Sequence, residues 1–227
     1  MIRSYVILFF LILCWKIPFS HDLLKTLDIA VFNSLNHSLL ETSLGQWFWG
    51  ILNHRLETKL NLLVAGLFNA WAIIATKDPV LRKTRLKQTL YFWVCFQIGV
   101  MLLNGVFNHW LHWERLSPSL VISSTIRLSD LWGDPNIKDS AEHSFPSGHA
   151  FAMFYWAFFT RLCVPKKMAF SALLFASFLS LPRLVSGAHW LSDAYFSILF
   201  AAIWLSWTIN FPLYRMILKQ NIKYLNR

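Results

Sequence analysis

Long apolar runs separated by polar stretches dominate the chain. A helix needs roughly 20 apolar residues to cross a bilayer, and six runs come close to that length. They cover residues 4–19, 60–76, 88–110, 146–164, 168–186 and 191–214. No small-residue cleavage site follows the first run, which is therefore predicted to be an uncleaved anchor. The pattern predicts an all-α integral membrane protein with six spans in one domain, residues 1–227.

Two longer connections break this pattern. Residues 21–59 mix apolar and polar positions, and Trp47 and Trp49 fit an interfacial aromatic belt, so we expect helices that lie on the membrane surface. Residues 111–145 are polar and contain the turn-forming residues Pro118, Gly133 and Pro135. This second connection is not predicted to span the membrane.

The composition favours a membrane protein over a soluble one. Apolar residues make up 56% of the chain and charged residues 14%, whereas soluble domains carry about 25% charged residues. The net charge of +10 would also suit a nucleic-acid-binding protein, but its distribution favours a bilayer. With a cytoplasmic N-terminus, 13 of the 21 basic residues and a single acid, Asp78, fall on the cytoplasmic side. Because positive charge is retained there during insertion, both termini are predicted to be cytoplasmic, and no nucleic-acid partner is expected.

Under this topology, four polar motifs meet at the outer face. Arg115 follows the third span, Pro-Ser-Gly-His at residues 146–149 opens the fourth, Arg183 ends the fifth, and His189 and Asp193 begin the sixth. A spacing of four would put His189 and Asp193 on one helical face, where the carboxylate accepts a hydrogen bond from the imidazole and orients it for nucleophilic attack. The planar guanidinium of Arg183 suits bidentate binding of phosphate oxygens.

The motif at residues 146–149 has the character of an anion site. Pro is favoured at the first position of a helix, and Gly lets the backbone approach a ligand closely. The free N–H groups of a helix start and the Ser147 hydroxyl could bind an anion beside Gly148, and His149 could protonate a leaving group. An ordinary helix cap followed by a spare histidine is the structural alternative.

Together these residues resemble the motifs of the type 2 phosphatidic acid phosphatase superfamily, which also includes the vanadium haloperoxidases. The family patterns are Lys-x6-Arg-Pro, Pro-Ser-Gly-His and Ser-Arg-x5-His-x3-Asp. The second and third are matched here in spacing and order, with Pro182 in place of the leading Ser. In the first, Asn108 stands where the lysine is expected and Leu116 where the proline is expected. One phosphate-binding cation is therefore missing, or is supplied by another residue such as Arg127 or Lys138.

The resemblance implies a bundle of six membrane helices and a reaction that uses no metal or other cofactor. The catalytic residues would be His189 as nucleophile, Asp193 as its orienting carboxylate and His149 as proton donor. The phosphate-binding residues would be Arg183, Arg115, Ser147 and Gly148, and further candidates for substrate binding are Asn108, Arg127 and Lys138.

Shorter matches point to one bacterial branch, the lipid A 1-diphosphate synthase type. They are the sequences at residues 114–118, 138–140 and 187–190. The branch implies an inner-membrane enzyme whose site faces the periplasm and which transfers phosphate from undecaprenyl diphosphate to lipid A through a phosphohistidine. Hydrolysis of undecaprenyl diphosphate, phosphatidylglycerol phosphate or lipid A 1-phosphate is an alternative, as is a non-catalytic lipid-phosphate carrier. The expected partners are phosphorylated membrane lipids and the bilayer itself.

Overall fold

The structure is a computed structural model that describes residues 18–110 and 114–225. Within these residues every regular element is a helix, as the sequence predicted, and the strand-type pairings are two isolated bridges. The helices are α1 (Pro18–His37), α2 (Ser43–Asn53), α3 (Arg55–Ile74), α4 (Pro79–Asn104), α5 (Pro118–Val121), α6 (Leu128–Trp132), α7 (Gly148–Cys163), α8 (Lys166–Val185), α9 (Leu191–Asn210) and α10 (Pro212–Leu225). A π-helical segment at Gly105–Trp110 follows α4.

Helix α7 forms the centre of the bundle. It packs against α4, α8 and α9 and is buried along most of its length. A helix that is apolar on every side needs such neighbours, because no face of it suits water. The ring of Phe92 on α4 stacks on those of Tyr155 and Phe159 on α7, with centroids 4.9 Å and 4.2 Å apart. His149 therefore lies in the first turn of a helix that is densely packed along most of its length.

Among the residues that the structure describes, three helical stretches are long and apolar enough to cross a membrane. They are Pro79–Phe107, Lys166–Val185 and Leu191–Asn210. Each overlaps one of the six predicted spans, although the first begins nine residues before the predicted start at residue 88, so these helices agree with the membrane location that the composition favoured.

Two of the other predicted spans correspond to helices of the structure, and one lies almost entirely outside the described residues. Residues 60–76 lie mostly within α3, which begins earlier, and residues 146–164 correspond to α7. Helix α7 has only 16 residues, or about 24 Å at about 1.5 Å per residue, which is less than the hydrocarbon core of about 30 Å. The first run, residues 4–19, lies outside the described residues apart from its last two positions.

The last predicted span, residues 191–214, is divided in the structure. Phe211 adopts an extended conformation with a ψ of 141°. The ring of Pro212 disfavours the helical conformation of the residue before it. Helix α9 therefore ends at Asn210, and Pro212 opens a separate helix, α10.

The segment at residues 21–59, predicted to lie on the membrane surface, is bound into the bundle as α1, α2 and the start of α3. The side-chain amide of Asn36 donates to the carbonyl of Val185 at 3.0 Å, and that of Asn53 donates to the carbonyl of Pro182 at 2.9 Å. Both amides are buried, and hydrogen bonds of this kind stabilise a fold by about 1 kcal/mol each. They hold α1 and α2 against the C-terminal end of α8, where the candidate site lies.

Candidate active site

The turn between α8 and α9 places His189. Gly187 in this turn has a φ of 81°, and a Cβ there would lie only 2.9 Å from the Phe32 ring. Glycine suits this position on both counts. The N–H groups of Ala188 and His189 then donate to the carbonyl of Arg183 at 3.0 Å and 3.1 Å. These bonds fold the chain back so that His189 lies beside the last turn of α8.

The imidazole of His189 is held in one orientation. Its Nδ1 lies 2.7 Å from the carbonyl oxygen of Ser144, which can only accept a hydrogen bond. Nδ1 therefore carries the proton, and Nε2 keeps a lone pair. Burial of the ring lowers the pKa of His189 to about 3, and the positive charge of Arg183 acts in the same direction. The side chain is thus a neutral imidazole with one free nitrogen near pH 7.

We expect acid to destabilise the folded protein through His189. An unfolded histidine takes up a proton near pH 6.5, whereas the buried ring stays neutral until the pH approaches about 3. Between these values the unfolded state binds the extra proton, so stability falls with falling pH, by up to about 1.4 kcal/mol per pH unit. Unfolding in detergent, measured at neutral and at mildly acidic pH, should show a smaller loss for His189→Gln than for the wild type. Equal losses would contradict a buried, neutral His189.

Asp193 is buried in the first turn of α9. Its Oδ2 accepts the N–H of Trp190 at 2.8 Å and lies 3.9 Å from Nδ1 of His189. The carbonyl of Ser144 thus takes the position at Nδ1 that was predicted for the carboxylate. The reason is that α9 begins at Leu191, so His189 precedes the helix and a spacing of four does not stack the two side chains. The carboxylate faces the imidazole at longer range and holds the turn that carries it.

Arg115 contacts the other oxygen of the Asp193 carboxylate. Its guanidinium pairs with Asp193 and, at 2.7 Å, with Asp28 of α1. Asp28 is buried and also accepts hydrogen bonds from the backbone N–H and the hydroxyl of Ser192, at 2.8 Å and 2.5 Å. Arg115 was predicted to bind phosphate, but two carboxylates share its guanidinium here. Its contacts join α1 to the start of α9.

Arg183 lies buried in the last turn of α8. Its guanidinium donates to the carbonyls of Asn53 and Lys138 at 3.0 Å and 3.2 Å, and to the hydroxyl of Thr58 at 3.1 Å. The Glu57 carboxylate of α3 lies 3.5 Å away and compensates its charge. Burial of an unpaired charge costs several kcal/mol, so these partners make the buried guanidinium tolerable and fix its direction.

Ser147 and His149 have different surroundings at the start of α7. The hydroxyl of Ser147 accepts the N–H of Ala150 at 3.4 Å and caps the helix. Nε2 of His149 lies 3.0 Å from the carbonyl of Leu179 and 4.0 Å from Oε1 of Glu57. With Nε2 as donor, Nδ1 carries the lone pair, and this buried atom has no hydrogen-bond partner among the described residues. It is available to a bound ligand.

A cavity of about 520 Å³, which we call the histidine cavity, connects these groups. Its polar lining comprises Arg55, Thr58, Gln97, Lys138, Gly148, His149, Arg183 and His189, and its apolar lining comprises Leu62, Phe96, Val100 and Ala152. A Cβ on Gly148 would meet no atom within 4 Å, so there is open space at the start of α7. The structure thus brings His149, Arg183, His189, Gly148 and Lys138 together around one space.

Among the predicted residues whose side chains the structure describes, Arg127, Ser147, Arg115 and Asp193 do not line the histidine cavity. Arg127 lies 3.5 Å from Oδ1 of Asp139 and lines a neighbouring cavity. Ser147 caps α7, and Arg115 pairs with the carboxylates described above. The side chain of Asn108 is outside the part of the chain that the structure describes. Within that part, no group of three His, Cys, Asp or Glu side chains is placed to hold a metal ion.

Three charged residues at the site were not predicted from the sequence: Asp28, Arg55 and Glu57. For Asp28 a signal existed, because it interrupts the apolar run of residues 27–32. An acid among apolar positions is costly unless it is paired. Arg55 and Glu57 stand in a polar stretch of the sequence, and nothing in their local pattern separates them from solvated surface residues.

Comparisons with known proteins identify the family of the chain. The profile of the PAP2 superfamily matches residues 92–217, which is more than half of the chain. The chain belongs to the PAP2 superfamily. This confirms the resemblance inferred from the motifs, since PAP2 denotes the type 2 phosphatidic acid phosphatases. The chain is also 26% identical over 209 residues to lipid A 1-diphosphate synthase of Escherichia coli (strain K12), across 89% of this chain and 84% of that protein. No solved structure matches it significantly.

The PAP2 match covers only part of the site. His149, Arg183 and His189 fall within the matched residues, whereas Arg55 and Glu57 on α3 precede them. Helices α1 to α3 therefore add charged groups to the site from outside the region that the family profile matches. Membership of the family supports a lipid phosphatase or phosphotransferase, which is the class that the motifs predicted.

Proposed function

We propose that this PAP2 protein is a membrane lipid phosphotransferase that carries the phosphoryl group on His189 between a lipid diphosphate and a second lipid. The observation that carries the proposal is the His189 imidazole. Its Nδ1 donates a hydrogen bond to the Ser144 carbonyl. Its Nε2 has no hydrogen-bond partner among the described residues, and the ring shares the histidine cavity with the buried Arg183. A neutral nitrogen beside a fixed cation suits attack on an anionic phosphorus centre.

The reaction has two steps. In the first, Nε2 of His189 attacks the terminal phosphorus of the donor, the N–P bond forms, and the P–O bond to the leaving phosphate breaks. Nδ1 of His149 takes up the proton of an acidic oxygen on the bound terminal phosphate and passes it to the leaving oxygen. In the second, an oxygen of the acceptor attacks the phosphohistidine and the electron pair of the N–P bond returns to Nε2. When the acceptor is water, the same chemistry is hydrolysis.

Arg183 and the start of α7 bind the group in transfer. The guanidinium offers donors in a plane that matches phosphate oxygens, and the open space beside Gly148 lets a phosphate approach the backbone. Asp193 and Arg115 act indirectly, because they stabilise the turn that positions His189. Fixed charges of this kind stabilise the charge of the transition state without reorganising during the reaction.

The site would lie at the periplasmic face of a bacterial inner membrane. The distribution of basic residues along the sequence supports six membrane helices in one domain, with both termini in the cytoplasm. The apolar lining of the histidine cavity comes from α3, α4 and α7. An acyl or prenyl chain could lie against it while its phosphate reaches His189.

Similarity to the Escherichia coli enzyme supports undecaprenyl diphosphate as donor and lipid A as acceptor. The decisive experiment incubates purified protein in detergent with undecaprenyl diphosphate labelled at its terminal phosphate. We expect label on the protein in an acid-labile, base-stable form, followed by label on lipid A when that lipid is present. Label found only as free phosphate would favour a phosphatase. Lipid that binds without any movement of label would favour the carrier and exclude this proposal.

A further inference from the structure

Arg55 and Lys138 are brought together by backbone pairing. The residues just before them, His54 and Ile137, form an isolated antiparallel bridge. The N–H of Arg55 donates to the carbonyl of Asn136 at 2.9 Å, and the N–H of Lys138 donates to the carbonyl of Asn53 at 2.8 Å. These bonds attach the junction of α2 and α3 to the loop that precedes α7. Two cations distant in the sequence thereby line the same space.

This pair extends the cationic side of the histidine cavity. Arg55, Lys138 and Arg183 all line it, together with His149 and His189. The carbonyl of Lys138 also accepts a hydrogen bond from Arg183 at 3.2 Å. The position of the Lys138 backbone is thus tied to the buried arginine, while its side chain lines the cavity.

Two of the nearby acids are paired with other cations. Glu57 lies 3.5 Å from Arg183, and Asp139 lies 3.5 Å from Arg127 and accepts the N–H of Ser129 at 2.8 Å. Neither Arg55 nor Lys138 has a carboxylate within ion-pair distance among the residues that the structure describes. Burial lowers the pKa of the Lys138 ammonium, and the like charges of Arg183 and Arg55 lower it further, outweighing the opposite effect of the Asp139 carboxylate. Cations that repel one another in a shared cavity favour a bound anion.

The pair also stands where the histidine cavity meets the exterior. Arg55 and Lys138 line two neighbouring cavities, of about 580 Å³ and 460 Å³, in which neither catalytic histidine takes part. Glu142 lines the smaller of these beside them. An anion held between Arg55 and Lys138 would therefore lie next to a phosphate bound at His189, on the side of that phosphate that faces the exterior.

We propose that Arg55 and Lys138 form a second phosphate subsite, which binds the phosphate adjacent to the one that His189 attacks. The inference rests on the proposed function and names its substrate class as lipid diphosphates. As the P–O–P bond breaks, the leaving phosphate takes the bonding electron pair and gains negative charge. Arg55 and Lys138 stabilise that charge. After the first lipid departs, the same pair receives the phosphate of a phosphorylated acceptor.

Anion binding tests the subsite without turnover. We would measure how inorganic diphosphate and inorganic phosphate raise the unfolding temperature of the wild type, Arg55→Gln and Lys138→Gln. Each variant should bind diphosphate about tenfold or more weakly, the effect of losing one charge-assisted hydrogen bond. Phosphate, which fits beside Arg183 and His189, should weaken much less. Lys138→Arg keeps the charge and should retain diphosphate binding.

Lys59→Gln is the matched control, since Lys59 lies one turn further along α3 and is not among the residues lining the histidine cavity. It should bind both anions as the wild type does. If Arg55→Gln and Lys138→Gln weaken phosphate and diphosphate equally, or weaken neither, the second subsite is refuted. Failure of the proposed function would look different: the wild type would bind diphosphate in an Arg55-dependent manner yet transfer no label from undecaprenyl diphosphate.

Discussion

Replacing His189 by alanine should abolish phosphoryl transfer and leave the helical bundle folded. The imidazole is the one group that would become bonded to phosphorus, and loss of a nucleophile commonly lowers turnover by about 10⁴-fold or more. Within the described part of the chain the ring makes one hydrogen bond, to the Ser144 carbonyl, so its removal costs about 1 kcal/mol of hydrogen bonding plus the loss of packing. The measurement is the rate of label transfer from undecaprenyl diphosphate, with circular dichroism as the check of folding.

His37→Ala provides the matched control. His37 ends α1 and is exposed, and it is not among the residues lining the histidine cavity. This variant should transfer label at the wild-type rate. A folded His189→Ala protein that still formed the acid-labile phosphoenzyme would show that another residue accepts the phosphoryl group, and the mechanism would fail.

The helices could be predicted because a membrane helix is encoded by a long run of apolar residues. Residues 168–186 correspond to α8 within two residues at each end. The last span was predicted too long because hydropathy alone continues through Phe211, and only the backbone effect of Pro212 ends α9. The attachment of α1 and α2 to α8 could not be predicted for another reason. It depends on the amides of Asn36 and Asn53 finding carbonyls more than a hundred residues away.

Part of the candidate site could likewise be predicted from the sequence, and part of it could not. His149, Arg183 and His189 belong to short motifs with fixed spacing, and such motifs can be recognised in the sequence alone. The partner of the His189 ring is a backbone carbonyl, that of Ser144. Every residue carries such a carbonyl, so no pattern of residue types could have indicated it. The assignment of a direct bond to Asp193 failed because it assumed that the helix includes His189, whereas α9 begins two residues later.

Charge pairing across helices was also invisible in the sequence. Glu57 on α3 reaches Arg183 on α8, and Asp28 on α1 reaches Arg115. Each pair joins residues more than eighty positions apart, and a single sequence offers no covariation to connect them. The sequence indicated the arginine of each pair, Arg183 or Arg115, but not its acidic partner. A buried or membrane-embedded arginine requires a counterion, although its identity came only from the packing of α1 and α3.

The pair of Glu57 and Arg183 yields a prediction that separates folding from catalysis. Both side chains are buried, and their charged atoms lie 3.5 Å apart. Arg183→Gln leaves the Glu57 carboxylate buried without its cation, which should lower the free energy of unfolding by about 3–5 kcal/mol. It should also lower turnover by about 10²- to 10³-fold, because a fixed donor to the transferring phosphate is lost.

Adding Glu57→Gln to Arg183→Gln should restore most of the stability and none of the turnover, because the double variant has no uncompensated charge but still lacks the guanidinium. Denaturant unfolding and label transfer would be measured on the same preparations. The control is Arg85→Gln, which removes a partly buried arginine that donates to Thr76 at 2.6 Å and is not among the residues lining the histidine cavity. A double variant that regained turnover together with stability would mean that Arg183 serves the fold and that phosphate is bound by other cations of the cavity.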